Sequence, residues 1–177
     1  GLPYDAARNT GLKAAVDGDF ACLFFLDSDT IPPVDIVPKL LATGRDFIGG
    51  LYHQRGGAFV PVACNMVRDA KGEWVRGGLP PHQPGDIVPV DFLGMGATLI
   101  SRRCMQAVLE HFPRPFAWGK DIAPVPDDHG GHLPPLSEDY MFCLRSKALG
   151  YQPWVHTGIV AQHEMMVVVT DKGVQFP

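Results

Sequence analysis

The apolar and polar positions of the chain fall into two periods, one of helices and one of strands. Residues 20–26 form an unbroken run of seven apolar positions, Phe-Ala-Cys-Leu-Phe-Phe-Leu. Such a run predicts a strand buried on both faces, as parallel strands of α/β sheets are. It leads straight into Asp27-Ser28-Asp29, and Pro32-Pro33 then end it. Before it, residues 5–16 read as a helix rich in alanine, with Asp5 at its start and Gly18 at its end. After it, residues 33–41 predict a short helix whose apolar face is Ile36, Val37, Leu40 and Leu41, closed by Gly44. Residues 46–52 read as a second strand, and residues 60–67 and 73–76 as a hairpin turning at 69–72.

The second half continues the alternation. Residues 77–86 are a loop rich in proline and glycine, and residues 87–92 and 97–100 are strands joined through Gly94-Met95-Gly96. Ser101 caps a helix that runs to His111, and Ser137 caps another that carries Met141, Leu144, Ala148 and Leu149 and ends at Gly150. Residues 112–135 between them have little periodicity, the mark of a lid or a mobile loop. Residues 151–155 and 158–161 are short strands. This order predicts an α/β fold: a mixed sheet flanked by helices in one domain covering residues 1–177.

Composition narrows the function by exclusion. With 177 residues and a net charge of −4, the chain is expected to have no general affinity for nucleic acid or anionic membrane, which leaves room for a local basic patch. No apolar run approaches the roughly 20 residues of a membrane span, and no leader peptide is visible. The four cysteines are scattered without a Cys-x-x-Cys pair. They read as buried reduced thiols, and the expected compartment is cytoplasmic.

Chemistry concentrates at a few positions. Asp27 and Asp29 stand at the carboxyl end of a strand, where open α/β sheets bind ligands. Their hard oxygens suit Mn2+ or Mg2+ shared with substrate phosphates. Glu138 and Asp139 open a helix, where free amides and the helix dipole are by themselves a reason for acidic residues. Arg8 on the first helix has the planar fork that suits a phosphate. His163, after an apolar stretch, is a further metal-ligand candidate, with His156 as its rival. Asp127, Asp128, His129 and His132 form a polar cluster between prolines, readable as a lid or as a separate metal site. Trp118 and Trp154 are equally readable as sugar platforms or as core.

Together these segments resemble the nucleotide-sugar glycosyltransferases of the GT-A fold, in particular glycosyltransferase family 2. The resemblance rests on Phe20–Pro33 with its Asp-x-Asp motif, on Val90–Arg103 with its small-residue turn, and on Leu136–Tyr151 with its Glu-Asp pair. It implies a GT-A-like sheet. It also implies that the family's first βαβ unit, which holds the nucleotide base, is missing from residues 1–177, so the domain is expected to be incomplete at its amino end. Arg8 and Asn9 would face the donor diphosphate. Asp29 would touch the metal, and Asp27 would lie beside it near the donor ribose or the metal's waters. His163 would complete the metal set. Gly94, Met95 and Gly96 would line the pocket between donor and acceptor. Asp139 would be the base that accepts the acceptor's proton, and Glu138 would orient the acceptor or support the cap. The implied activity is transfer of a sugar from a UDP- or GDP-sugar to an acceptor hydroxyl, with inversion and with Mn2+ or Mg2+. A metal-dependent phosphohydrolase using the 127–132 cluster, or a domain that binds nucleotide or sugar without turnover, are the alternatives.

Overall fold

The computed structural model describes residues 3–55, 59–121, 125–127, 130–164, 168–170 and 173–175. In chain order the elements are α1 (Tyr4–Asp17), β1 (Cys22–Leu26), β2 (Thr30–Ile31), α2 (Ile36–Ala42), β3 (Phe47–Leu51), β4 (Met66–Arg68) and β5 (Trp74–Arg76). They continue with β6 (Ile87–Pro89), β7 (Ala97–Ser101), α3 (Arg102–His111), a 3-10 turn (Gly119–Asp121), α4 (Glu138–Ala148), β8 (Trp154–Val160), β9 (Gln162–His163), β10 (Val168–Thr170) and β11 (Gly173–Gln175).

The central sheet has five strands in the order β1-β7-β3-β8-β6. Only β3 and β8 run parallel; β7 is antiparallel to both β1 and β3, and β6 is antiparallel to β8. The sheet is therefore mixed, as the pattern predicts. Side chains leave it on alternate faces, so neighbours feed different cores. Phe47 and Ile100 join the layer containing Leu12 of α1, Met105 and Val108 of α3 and Phe142 of α4. Ile48 and Leu99, one position away, join Ile36 and Leu40 of α2 on the other side. Helices thus cover both faces. Phe142 stacks on Phe116 at 4.4 Å and meets Phe47 edge-on at 5.4 Å. This aromatic knot buries part of the stretch that lacks periodicity, since Phe116 is wholly buried.

Several expectations change. The run 20–26 is not buried on both faces: β1 is an edge strand, antiparallel to its neighbour, and Phe20 and Leu26 are 61% and 49% exposed. Pro3, not Asp5, stands at the start of α1; Asp5 is buried one position inside it and pairs with Arg114. The predicted pair 151–155 and 158–161 is one strand, β8, whose register against β3 shifts beside Gly50. The serine caps are as expected: Ser101 Oγ accepts from Cys104 N at 3.3 Å, and Ser137 Oγ from Tyr140 N at 3.4 Å.

Candidate active site

The site forms where β1 ends. Asp27 N donates to Gly96 O at 3.2 Å, and Asp27 O accepts from Thr30 N at 3.0 Å. A tight turn therefore closes within the Asp27–Thr30 segment. It breaks the strand alternation that would have aimed Asp27 and Asp29 the same way. The two carboxylates part company there.

Asp27 turns towards α1 and α4. The buried Arg8 guanidinium sits among three carboxylates: Asp27 Oδ1 at 3.1 Å, Glu138 Oε1 at 2.5 Å, and Asp139 Oδ1. One positive charge faces three negative ones. Burial works against the charge of Arg8, but Asp139, Asp27 and Glu138 together outweigh it and raise its pKa. Asp139 answers in kind: burial pushes its carboxyl up to about 7, with Glu138 and Asp27 adding to the rise. Arg8 and the Met95 N–H, which donates to Asp139 Oδ2 at 3.2 Å, pull the other way. A carboxyl of that pKa changes protonation state near neutrality, the property a general base needs.

Asp29 turns the other way. Its Oδ2 takes Arg55 Nη1 at 2.8 Å, and its Oδ1 lies 3.4 Å from His163 Nε2. His163 arrives on β9, whose antiparallel pairing sets Thr30 opposite His163. Its Nδ1 lies 2.8 Å from the His53 carbonyl, which can only accept, so Nδ1 carries a proton. In the neutral ring the lone pair of Nε2 then faces the Asp29 carboxylate oxygen. Two acceptors facing each other invite a cation or a proton between them. Anchoring of the second ring nitrogen on a carbonyl is also the usual support for a metal-bound histidine. This pair fits a divalent ion on the chemistry of its donors. Asp27 does not join it: among the described residues, no group of three or more His, Cys, Asp or Glu side chains converges for a metal. The expected trio of Asp27, Asp29 and His163 is thus split into a pair and a separate carboxylate. A cavity of about 310 Å3, lined by His53, Gln54, Arg55, Phe59, Gln162 and His163, opens beside the pair.

Other expected residues have different neighbours. The Asn9 amide clamps one backbone position, donating to Phe116 O at 2.7 Å and accepting from Phe116 N at 3.0 Å. It is engaged with the chain itself rather than directed to a donor. At Gly94 and Gly96 the close approach is made by Tyr52. Its hydroxyl accepts from Gly96 N at 2.9 Å, and a Cβ on Gly96 would stand 2.9 Å from it. A Cβ on Gly94 would overlap the same oxygen and Val62. His156 lies on β8, where its Nδ1 accepts from Gly158 N at 3.2 Å. Asp127 is tied to Arg68 at 2.6 Å and to Trp74 Nε1 at 2.8 Å, with a side chain only 3% exposed. Asp128 and His129 lie outside the described residues. Tyr52, Arg55 and the His53 carbonyl carry no motif. The glycines at 94 and 96 signal a close neighbour without naming it.

No family model matches the chain, and no curated protein matches it. Among solved structures it is similar to A197 from STIV, with a TM-score of 0.56 and 17% identity over 99% of this chain and 76% of that one. It is also similar to GalNAc-T7, crystallised with UDP, GalNAc and Mn2+, with a TM-score of 0.55 and 13% identity. That match covers 90% of this chain, which spans 30% of that protein's length. At these identities the likeness shows the fold: a mixed α/β domain of GT-A-like architecture.

Proposed function

We propose that the chain is a metal-dependent glycosyltransferase domain that moves a sugar from a UDP- or GDP-sugar to an acceptor hydroxyl, with inversion at the anomeric carbon. The observation that carries this reading is Asp139: a buried carboxyl at a helix start, with its pKa raised to about 7, tied through Arg8 to Asp27 at the end of β1. Across the Asp27–Thr30 turn stands the Asp29–His163 pair. The GT-A-like fold and a structural neighbour crystallised with UDP, GalNAc and Mn2+ support the same class of donor.

In this reading Asp29 and His163 would hold Mn2+ or Mg2+, and the ion would supply positive charge to offset the negative charge of the diphosphate leaving group. Asp139 takes the proton of the acceptor hydroxyl as that oxygen attacks. It must stand within about 2.6–3.2 Å of the hydroxyl in the productive complex. Arg8 keeps Asp139 in place and lowers its proton affinity against the pull of burial. Asp27, with a side chain 36% exposed, is the carboxylate of the cluster left open to a donor ribose. Glu138 is only 6% exposed and pairs with Arg8.

The test is calorimetric binding of UDP- and GDP-sugars with Mn2+, followed by transfer to a panel of hydroxyl acceptors. Asp29→Ala is expected to lose Mn2+-dependent donor binding. Asp139→Asn is expected to keep it and to lose transfer by about 10²–10⁴-fold. Transfer by Asp139→Asn at near the parent rate removes the base from this scheme. Failure of every nucleotide sugar to bind with Mn2+ removes the scheme itself.

A further inference from the structure

A groove between α4 and the β4–β5 hairpin has no part in the chemistry above. Its middle is a cavity of about 300 Å3 between the β4–β5 hairpin, Pro126, Asp127 and Leu133, and α4. Register sets Arg68 opposite Trp74 and Met66 opposite Arg76. These four residues therefore share one hairpin face, and Met66 and Trp74 line the cavity. Phe92 and Leu144 continue the apolar wall, and Asp91 and Lys147 form its polar side. The middle cavity shares Leu144 and Lys147 with a hollow of about 560 Å3, and Trp74 and Asp127 with another of about 460 Å3. Three hollows joined by common walls make room for an extended ligand rather than one small molecule.

We propose that this groove is a carbohydrate subsite that holds an inner ring of an oligosaccharide acceptor against Trp74. The proposal rests on the glycosyltransferase reading and names its acceptor class. A pyranose has an apolar C–H face and a rim of hydroxyls that both donate and accept. Trp74 offers a ring for the face. Asp91 and Lys147, 2.5 Å apart and each about one-third exposed (32% and 33%), offer an acceptor and a donor for the rim.

The platform is also set before any ligand arrives. The buried Asp127 carboxylate accepts from Trp74 Nε1 at 2.8 Å, from Arg68 at 2.6 Å and from Gly131 N at 2.9 Å. Arg68 covers part of the indole, 4.5 Å from the ring centre. A platform already held in place loses little freedom on binding. Position favours the same role. Phe92, which lines the groove, stacks at 4.6 Å on Tyr140, the residue that follows Asp139 in α4. Lys147 lies eight residues beyond Asp139 on α4, about 12 Å along the axis at 1.5 Å per residue. A ring at Trp74 is therefore an inner one, away from the hydroxyl that reacts.

The experiment follows tryptophan emission and calorimetric heat with the full chain. The ligands are gluco-, N-acetylgluco- and galacto-oligosaccharides of one to four rings, with a random-sequence decapeptide pool alongside. Affinity is expected to rise from one ring to three or four in at least one series. Trp74→Ala is expected to weaken the longer sugars at least tenfold, about 1.4 kcal/mol, while UDP-sugar binding with Mn2+ stays unchanged. Lys147→Met, which keeps the stem and the fold, is expected to weaken them in the same direction. No binding by any oligosaccharide, equal affinity at every length, indifference to both substitutions, or preference for the peptides overturns the proposal. Sugars bound through Trp74 without transfer leave the subsite standing and remove the enzyme. Transfer that ignores both substitutions does the reverse.

Discussion

The charge count around Arg8 makes a prediction that needs no substrate. Asp27, Glu138 and Asp139 gather round one guanidinium, two negative charges in excess, in a place where Asp139 is largely buried. Burial and its acidic neighbours lift the Asp139 carboxyl from an ordinary 3.8 to about 7. The native protein therefore keeps a proton on this carboxyl up to about pH 7, whereas the unfolded chain releases it near pH 4. Between these limits the native state binds the extra proton, so stability falls as pH rises across the window. Below the window nothing is lost; above it the loss is complete. At about 1.36 kcal/mol per pKa unit, the rise corresponds to on the order of 4 kcal/mol.

Asp139→Asn keeps the size of the side chain and cannot titrate. Urea denaturation of parent and variant at each pH from 4 to 8 isolates this one proton, because all other groups titrate in both. The parent is expected to lose up to about 4 kcal/mol relative to the variant between pH 4 and pH 7, at no more than about 1.36 kcal/mol per pH unit. The difference should be level outside that range. Glu138→Gln supplies a check on the cause. Glu138 is one of the charges that raise Asp139, so its removal should lower the upper limit of the window and shrink the total loss, while the lower limit, set by the unfolded chain, stays near pH 4. A parent–variant difference that stays constant within about 1 kcal/mol from pH 4 to pH 7 would refute the reasoning.

Four further outcomes are expected. Arg8→Met leaves three carboxylates without their counter-charge and should cost on the order of 3–5 kcal/mol at pH 8, with much of the loss recovered at pH 5; an equal loss at both values, by urea denaturation, contradicts the cluster. Tyr52→Phe strips the Gly96 N–H of its acceptor and should cost about 1–3 kcal/mol. Gly94→Ala should also destabilise, by overlap with the Tyr52 hydroxyl, and should be partly relieved when combined with Tyr52→Phe; strict additivity of the two speaks against a shared cause. Sub-stoichiometric Mn2+ should broaden the ring resonances of His163 before those of any other histidine; if His156 or His132 broadens first, the Asp29–His163 pair is not the metal's place.

What the sequence discloses and what it hides divide along one physical line. The caps of α3 and α4 were legible because a serine and the amide it accepts from are three residues apart, so the interaction is written locally. The acidic start of α4 was legible for the same reason. The burial of β1 was not, because an apolar run records what its side chains avoid and not which strands stand beside it. The strand order, set by β7 and β3, leaves β1 at the edge. The divergence of Asp27 and Asp29 depends on a turn closed by backbone groups of Asp27 and Thr30 and on Gly96, which lies far along the chain. Asn9 announced a polar side chain but not that its amide would clamp Phe116, 107 residues away. Arg8 is the decisive case. Its carboxylate partners on α4 lie 130 and 131 positions distant, so nothing in either segment counts charges across the pair. Burial raises the Asp139 carboxyl and Arg8 draws it back, and the balance falls at about 7. A second cation beside it would lower that balance, and loss of Arg8 would raise it. Whether an acidic residue in a first helical turn merely complements the helix dipole or titrates near neutrality is decided by a contact that only the fold brings about.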